Sequence, residues 1–477
     1  MRFVAAALDF DGTIAHDSHV PAHVVAGLRR LKESGRQMLL VTGRELPELL
    51  AIFPEITLFD RVVAENGALL YHPATCESRD LGDPPPPELV ALLRARDVPI
   101  SVGDSIIATV EPYETAVLAA IRELGLERPV IFNKGAVMIL PPGINKASGL
   151  AAALHELGLS ARNIVAVGDA ENDHALLDAA EYSVAVDNAI PTLKAAADRV
   201  TAQPGGDGVL EIIADLLDSD LAKTPPARQR RALVIGRAES GADACLPPAG
   251  LSMLVTGAHK NGKSTLTRRV LERLCTAGYQ FCVLDGRGEY LDFEPAVVFG
   301  TQETAPDPFE ILTALEKPDI QAVVCLAAVP QARRAAFFDR LNLELRRLRE
   351  KTGRPHWLVI DEAQELVPKA GSGIAEAGAP AENTIYVTTD PGAIAIRILA
   401  TVDVIAARGA SASASLDAFA AAVATPRPAG ALRSPGEHEA LVWFHRTGMA
   451  PTLVTLPPRI TEKRAIGADV GRLLRRA

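Results

Sequence analysis

Short apolar runs alternate with stretches of helical period along most of the chain, and this rhythm limits the fold more than any other feature. "FVAAALDF", "QMLLVTG", "RVVAEN", "NIVAVGD" and "YSVAV" read as strands, and "HVVAGLRRLKES" and "KASGLAAALHELG" as helices. Such alternation predicts βα units on a mostly parallel sheet. In sheets of that kind the reactive crevice lies beyond the carboxyl ends of the strands. Asp9, Thr42 and Asp169 each stand at such an end.

The rhythm is interrupted once and then restarts. Residues 73–143 hold "GDPPPPELV", "SIIATVEP", "YETAVLAAIRELG" and "GAVMILPPG", which predicts a small α/β insert with the Pro run as a stiff connector. "DSDLAKTPPARQRR", 218–231, is polar, contains Pro and reads as a linker. Beyond it come "SMLVTG", "FCVLDG", "AVVCLAA", "HWLVIDEA" and "TIYVTT", the strands of a second α/β domain. The expected division is a core of 1–72 and 144–217, an insert at 73–143, a linker at 218–231, a second domain at 232–460 and a basic tail at 461–477. A chain of 477 residues is too long for one ordinary core, so several domains are expected in any case. "KAGSGIAEAGAPAEN", 369–383, reads as a mobile loop.

Aromatic residues make up only 4% of the chain, so Ala, Val, Leu and Ile must do most of the packing. The formal net charge of -10 argues against a general nucleic-acid binder, although a local basic surface could still serve. The five cysteines are scattered and form no CxxC pair, which implies neither a zinc site nor a disulfide framework. The opening "MRFVAAALDFD" meets an acid too early for a secretory signal, and no apolar run is long enough to span a bilayer. A cytoplasmic location is expected.

The stretch "VAAALDFDGTIAHD" carries the first chemical signal. A turn explains Asp11-Gly12 but not Asp9, which directly follows an apolar run. A desolvated carboxylate needs a cation, a proton or a hydrogen-bond network. Three further segments can supply one: "LLVTGRE" with Thr42 and Gly43, "GINKASGL" with Lys146, and "VAVGDAENDHALL" with Asp169, Asn172 and Asp173. In order and context these segments resemble the haloacid dehalogenase (HAD) superfamily of phosphohydrolases, in the Cof-type branch whose cap is inserted between the second and third motifs. The resemblance spans residues 1 to about 217. It implies a HAD Rossmann-like parallel sheet and Mg2+-dependent hydrolysis of a phosphomonoester. Asp9 is then the nucleophile that forms an aspartyl-phosphate, and Asp11 the acid and base. Asp9, the Asp11 main-chain carbonyl and Asp169 would hold Mg2+, with Asp173 supporting that metal shell. Thr42, Gly43, Lys146 and Asn172 would receive the phosphoryl group. The insert would be the cap that excludes water, and its size suits a small phosphorylated metabolite such as a sugar phosphate or phosphoglycolate. Glu65 and Asn66 in "VAENG" are expected to line the crevice. His16, His19 and His23 lack metal-ligand spacing and read as loop or surface residues.

"GAHKNGKST" carries a second signal: Gly257, Ala258, His259, Lys260, Asn261, Gly262, Lys263, Ser264 and Thr265 lie between a strand and a helix. The spacing fits a phosphate-cradling P-loop. Lys263 would reach the β and γ phosphates of ATP, and Ser264 would bind Mg2+. "HWLVIDEAQEL" ends a strand in Asp361, for the metal shell, and Glu362, to orient the attacking water. With "VLDGRGEYLDF" (Asp285, Gly288, Glu289, Tyr290), this half resembles the HerA/FtsK-type P-loop ATPases over about 232–410. One departure is Thr389, which stands where that group carries a polar sensor, commonly Gln. Arg397 and Arg408 are candidates for a finger toward a neighbouring subunit. The group works on DNA as ring-shaped homo-oligomers; here only "ARQRR", "RRLREK" and the tail "RLLRRA" would support DNA, so DNA as a partner is left open. The leading reading is a Mg2+-dependent phosphatase fused to an ATP-binding and ATP-hydrolysing domain. The alternatives are a nucleic-acid end-processing phosphatase/kinase and a DNA-associated ATPase with a regulatory HAD module.

Overall fold

The computed structural model describes residues 1–227, 230–369, 382–427 and 433–459. The expected basic tail and nearly all of the expected mobile loop at 369–383 lie outside the described residues. The chain divides into two compact units. The first is Met1–Arg230 with Glu316–Pro318 and Arg347–Arg354; the second takes the remainder.

The first unit is built on an eight-stranded sheet. Its spatial order is Arg199–Val200, Tyr182–Ala185, Ile164–Gly168, Ala5–Leu8, Gln37–Val41, Arg61–Ala64, Leu69–His72 and Glu77–Asp80. The first six strands run parallel and the last two antiparallel. The strands that end at Asp9, Thr42 and Asp169 are therefore the three adjacent central ones. Every residue of Ala5–Leu8 is buried, as a strand covered on both faces must be. The helix Ala22–Glu33 turns Val24, Val25, Leu28 and Leu31 inward, one apolar stripe against the core, and carries Arg30 and Lys32 in its last turn, where the helix dipole favours cations.

The insert has a core of its own. A four-stranded antiparallel sheet, ordered Ser101–Val102, Ile107–Val110, Ala136–Ile139, Val130–Asn133, packs with the helices Pro87–Ala95 and Glu114–Glu123 around Leu89, Leu93, Val117 and Ile139. Glu77–Asp80, which the sequence division puts in the insert, pairs with Leu69–His72 and so extends the core sheet. All four of its residues are exposed, so no apolar signal marks it as a strand. At the other end of the unit, Arg230 of the predicted linker donates to the carboxylate of Asp198 at 2.8 Å and to the carbonyl of Asp178.

The second unit holds an eleven-stranded mixed sheet. Seven parallel strands follow the order Val404–Arg408, Met253–Gly257, Thr384–Thr388, Trp357–Ile360, Phe281–Asp285, Ala322–Cys325, Val297–Phe299. Four antiparallel strands, Asp243–Leu246, Leu233–Ala238, Thr452–Thr455 and Glu439–Phe444, extend it beyond Val404–Arg408. Among the described residues no helix is long and apolar enough to cross a membrane.

Candidate active site

The carboxyl end of the first sheet gathers the four sequence segments. Asp9 follows the central strand, and its N–H donates to the Val167 carbonyl of the neighbouring strand at 3.0 Å, which fixes its backbone. Lys146 opens the helix Lys146–Leu157. Asn145 caps that helix by accepting from the Ser148 N–H at 3.0 Å, while the Asn145 N–H donates to the Ser148 hydroxyl at 2.9 Å. This reciprocal cap sets where the first helical side chain emerges. Lys146 is buried, and its Nζ donates to Asp9 Oδ1 at 2.5 Å and to Asp173 Oδ1 at 2.6 Å. Asp173 Oδ2 accepts the N–H groups of Asp169 and Ala170 at 2.9 and 3.0 Å. Asp169, fully buried, accepts from Asn188 Nδ2 at 3.2 Å and pairs with the ammonium of Lys134.

Carboxylate oxygens of Asp9, Asp169 and Asp173 all lie within 4.8 Å of one another. Burial pushes the Asp9 carboxyl up to about 8; Asp173 adds to the shift and Lys146 opposes it. Asp169 is also raised, chiefly by burial. For Lys146, burial works against the charged form, but Asp173 and Asp9 outweigh it and hold the ammonium protonated. The centre is therefore short of positive charge. Converging hard oxygen donors in that state fit Mg2+. Asp9 and Asp169 suit the ligand role. Both oxygens of Asp173 are already engaged, so it fits as the group that holds Lys146 and the Asp169 backbone.

The remaining expected residues divide. Thr42 is buried at the end of its strand, and its hydroxyl accepts the Arg44 N–H at 3.1 Å. Gly43 is needed for space: a Cβ there would stand 2.9 Å from Asn66 Nδ2. Asn66 Oδ1 in turn accepts from Asn172 Nδ2 at 2.8 Å, which leaves Asn172 Oδ1 buried without a partner. Gly12, at φ +80°, lies so close to Asp169 that a Cβ would meet Oδ2 at 2.1 Å. The Asp11 side chain does not join the cluster. It is held by the Arg44 guanidinium, Nε to Oδ2 at 2.6 Å and Nη2 to Oδ1 at 2.7 Å. Glu65 faces the insert rather than the crevice, accepting the N–H groups of Asp104, Ser105 and Ile106 at 3.0, 2.8 and 3.2 Å. His23 pairs with exposed Asp207, and His16 and His19 bond to each other through their backbones, so none of the three joins the acidic cluster. Sequence reasoning gave no role to Arg44, Asn188 or Lys134. Arg44 stands inside the quoted "LLVTGRE", Asn188 lies two residues beyond the strand "YSVAV", and Lys134 is signalled only by the turn dipeptide Lys134-Gly135.

In the second unit, Gly257 ends a strand and Gly262, at φ +76°, precedes the helix Lys263–Thr276. Lys263 is buried and its Nζ donates to the Ala258 carbonyl at 3.2 Å; burial lowers its pKa, with Glu362 and Asp361 opposing. The Ser264 hydroxyl bonds to Glu289. His259 and Lys260 are exposed, Asn261 is half-buried and Thr265 exposed. Asp285 accepts four backbone N–H groups, those of residues 287–290, at 2.7–3.1 Å, and so holds the "GRGEY" turn. Asp361 follows the strand Trp357–Ile360, separated from the loop strand by Thr384–Thr388. Its Oδ2 is buried without a partner, and burial, then Asp285 and Glu362, push it well above the usual carboxylate range. Glu362, at φ +49°, pairs with Arg287 at 2.7 Å. The polar contact near the expected sensor comes from Thr388, not Thr389: its hydroxyl donates to Gln364 Oε1 at 2.7 Å. Arg397 is exposed. Arg408 is buried, and its Nη2 lies 2.8 Å from where a Cβ on Gly262 would stand, so it backs its own loop.

A family profile described as haloacid dehalogenase-like hydrolase matches residues 6–103 and 106–213. The phosphoglycolate phosphatase of Methanothermobacter thermautotrophicus is 33% identical over 219 residues, which cover 44% of this chain and 96% of that protein. The phosphoglycolate phosphatase of Haloarcula marismortui is 33% identical over 227 residues, 44% of this chain and 96% of that protein. A solved haloacid dehalogenase-like hydrolase from Bacteroides thetaiotaomicron aligns at 20% identity and a TM-score of 0.40, over 45% of this chain and 99% of that one. With a third of the aligned residues identical across nearly the whole length of the two phosphoglycolate phosphatases, the chain belongs to the haloacid dehalogenase-like hydrolases, and residues 1 to about 220 are its Cof-type, phosphatase-like hydrolase domain.

Proposed function

We propose that the first unit hydrolyses small phosphomonoesters in two steps through Asp9. The reading rests on one observation above the others: Lys146 is buried between Asp9 and Asp173, with Asp169 in reach of both. Mg2+ held by Asp9, Asp169 and the Asp11 carbonyl would screen the repulsion between carboxylates and phosphate. An Asp9 oxygen attacks phosphorus, and the ester oxygen leaves with a proton from Asp11. Water then attacks the aspartyl-phosphate, gives its proton to Asp11 and releases inorganic phosphate, restoring Asp9. Lys146, Thr42 and Asn172 face the phosphoryl oxygens. Asp11 has to turn from Arg44 to act, and Arg44 positions it between turnovers. The relatives named phosphoglycolate phosphatases support a small phosphorylated metabolite as substrate. The test is a phosphorylated-metabolite panel on the full chain with and without Mg2+. Turnover that needs Mg2+ and falls at least about a thousandfold in Asp9→Asn is expected; retained turnover in that variant refutes Asp9 as nucleophile.

For the second unit we propose an ATP-binding and ATP-hydrolysing P-loop domain of HerA/FtsK type. Its support is the strand–loop–helix around Lys263, facing a buried and unpartnered Asp361 oxygen with Glu362 beside it. The orphaned oxygen is what an incoming Mg2+-nucleotide would satisfy. The match to the hydrolase family ends at residue 213, so this reading rests on the motifs at 257–265 and 285–290 and on their local geometry.

A further inference from the structure

The insert brings one cation to the acidic centre, and the hydrolytic steps above do not employ it. Lys134 stands at the turn between Val130–Asn133 and Ala136–Ile139, at φ +47°, followed by Gly135 at φ +90°. A left-handed lysine is uncommon, and this one sits in a turn fastened to the core. Its N–H donates to Glu171 Oε2 at 3.3 Å, and its Nζ pairs with Asp169 Oδ2. The same Nζ lies 2.9 Å from where a Cβ on Gly12 would stand. The Lys134 side chain is 44% exposed, whereas that of Asp169 is fully buried. The ammonium thus sits on the solvent side of Asp169. Lys146 cannot serve there, because it is buried and already bonded to two carboxylates.

Resting on the phosphomonoesterase reading, we propose that Lys134 is a specificity-determining residue that binds a second negative charge, carboxylate or phosphate, on the leaving group of the substrate. The substrate class is then the phosphate ester of a small acid or of a second phosphate, not of a neutral sugar or alcohol. Two arguments carry this. A divalent cation and an ammonium repel each other at one carboxylate, so a cation on Asp169 leaves Lys134 in need of another anion. The turn that holds Lys134 also leaves its side chain 44% exposed, while Lys146 and Thr42 are buried, so the ammonium can meet the solvent-side end of a substrate whose phosphoryl end lies among the core residues. An ammonium on a short turn is a compact point charge that suits such an anion.

The test compares full-length wild type, Lys134→Ala and Lys134→Arg at saturating Mg2+ with 2-phosphoglycolate, fructose 1,6-bisphosphate and glycerol 2-phosphate, and titrates Mg2+ calorimetrically into each protein without substrate. Lys134→Ala is expected to lower kcat/KM for at least one doubly charged substrate about tenfold more than for glycerol 2-phosphate, mainly through KM, with Lys134→Arg recovering most of the loss. Which of the two charged substrates suffers identifies the second anion. Mg2+ affinity in Lys134→Ala is expected to equal or exceed that of wild type, because a competing cation is gone. Equal losses on all three substrates, or weaker Mg2+ binding, would overturn the assignment. A wild type that turns over none of them with Mg2+ overturns the phosphomonoesterase reading itself, and the role of Lys134 with it.

Discussion

Three carboxylates around Asp9 share two ammonium groups, those of Lys146 and Lys134. The deficit of positive charge makes a prediction about pH. The Asp9 carboxyl moves from 3.8 in the unfolded chain up to about 8 when folded, mainly through burial. Between those values the folded state holds a proton that the unfolded state has lost, so stability falls as pH rises through that window. The chelator-treated protein is expected to lose thermal stability from pH 5 to pH 8. Mg2+ should protect more strongly at pH 8, where no proton has to be displaced. A difference of roughly 1 kcal/mol in the first unit moves Tm by about 2–4 °C, which differential scanning fluorimetry resolves. A flat profile without metal would contradict a raised Asp9 carboxyl. Asp9, Lys146 and Asp169 were legible in the sequence because each opens or ends a strongly periodic element. Lys134 was not, because a lysine before glycine in a polar turn looks like any surface turn. Its partner is 35 residues away.

At the scale of elements, Glu65 ties a core turn to the insert. Its backbone lies at φ +51°, and its carboxylate takes three successive N–H groups of the loop between the insert strands Ser101–Val102 and Ile107–Val110. A buried carboxylate bonded in this way holds one end of the insert to the core. Glu65→Ala leaves three donors without their acceptor, a cost of about 1–3 kcal/mol, so amide exchange at Asp104–Ile106 should quicken about tenfold or more. Hydrogen-exchange mass spectrometry reads this directly, and unchanged protection there would show that the loop is held by something else. The sequence placed Glu65 in the crevice because "VAENG" follows a core strand; only the fold shows that Asn66 turns to the site and Glu65 to the insert. The same limit explains the strand Glu77–Asp80 and the four antiparallel strands of the second sheet. Glu77–Asp80 is wholly exposed and Asp243–Leu246 partly so, which leaves little hydrophobic signal, while a buried strand such as Glu439–Phe444 has its pairing decided by neighbours that local pattern does not reveal.

At the scale of the whole molecule, each set of chemical residues belongs entirely to one compact unit. The cluster around Asp9 draws on residues 9–188, and the loop with its acidic partners on residues 257–408. Asp9→Asn is therefore expected to abolish phosphatase turnover while leaving ATP affinity within about twofold, and Lys263→Ala to weaken ATP binding about tenfold or more while phosphatase kcat/KM stays within about twofold. Filter binding and phosphate release on the same preparations check both. Loss of both activities in either variant would mean that the two centres are coupled. The restart of the βα rhythm after residue 231 made two α/β bodies legible, because periodicity is a local signal. What each body does in the presence of the other is not written in any local pattern.

The four-stranded sheet of the insert is gripped at two different hairpins, by Glu65 at one and through Lys134 at the other, and these hairpins form opposite halves of the sheet. A plate pinned at both sides can swing like a door once a single latch is lifted. An arriving anion that draws the Lys134 ammonium away from Asp169 would leave that side on weaker ties, the Lys134 N–H to Glu171 and the Asn66 amide to the Met138 sulfur, while Glu65 stays behind as the pivot.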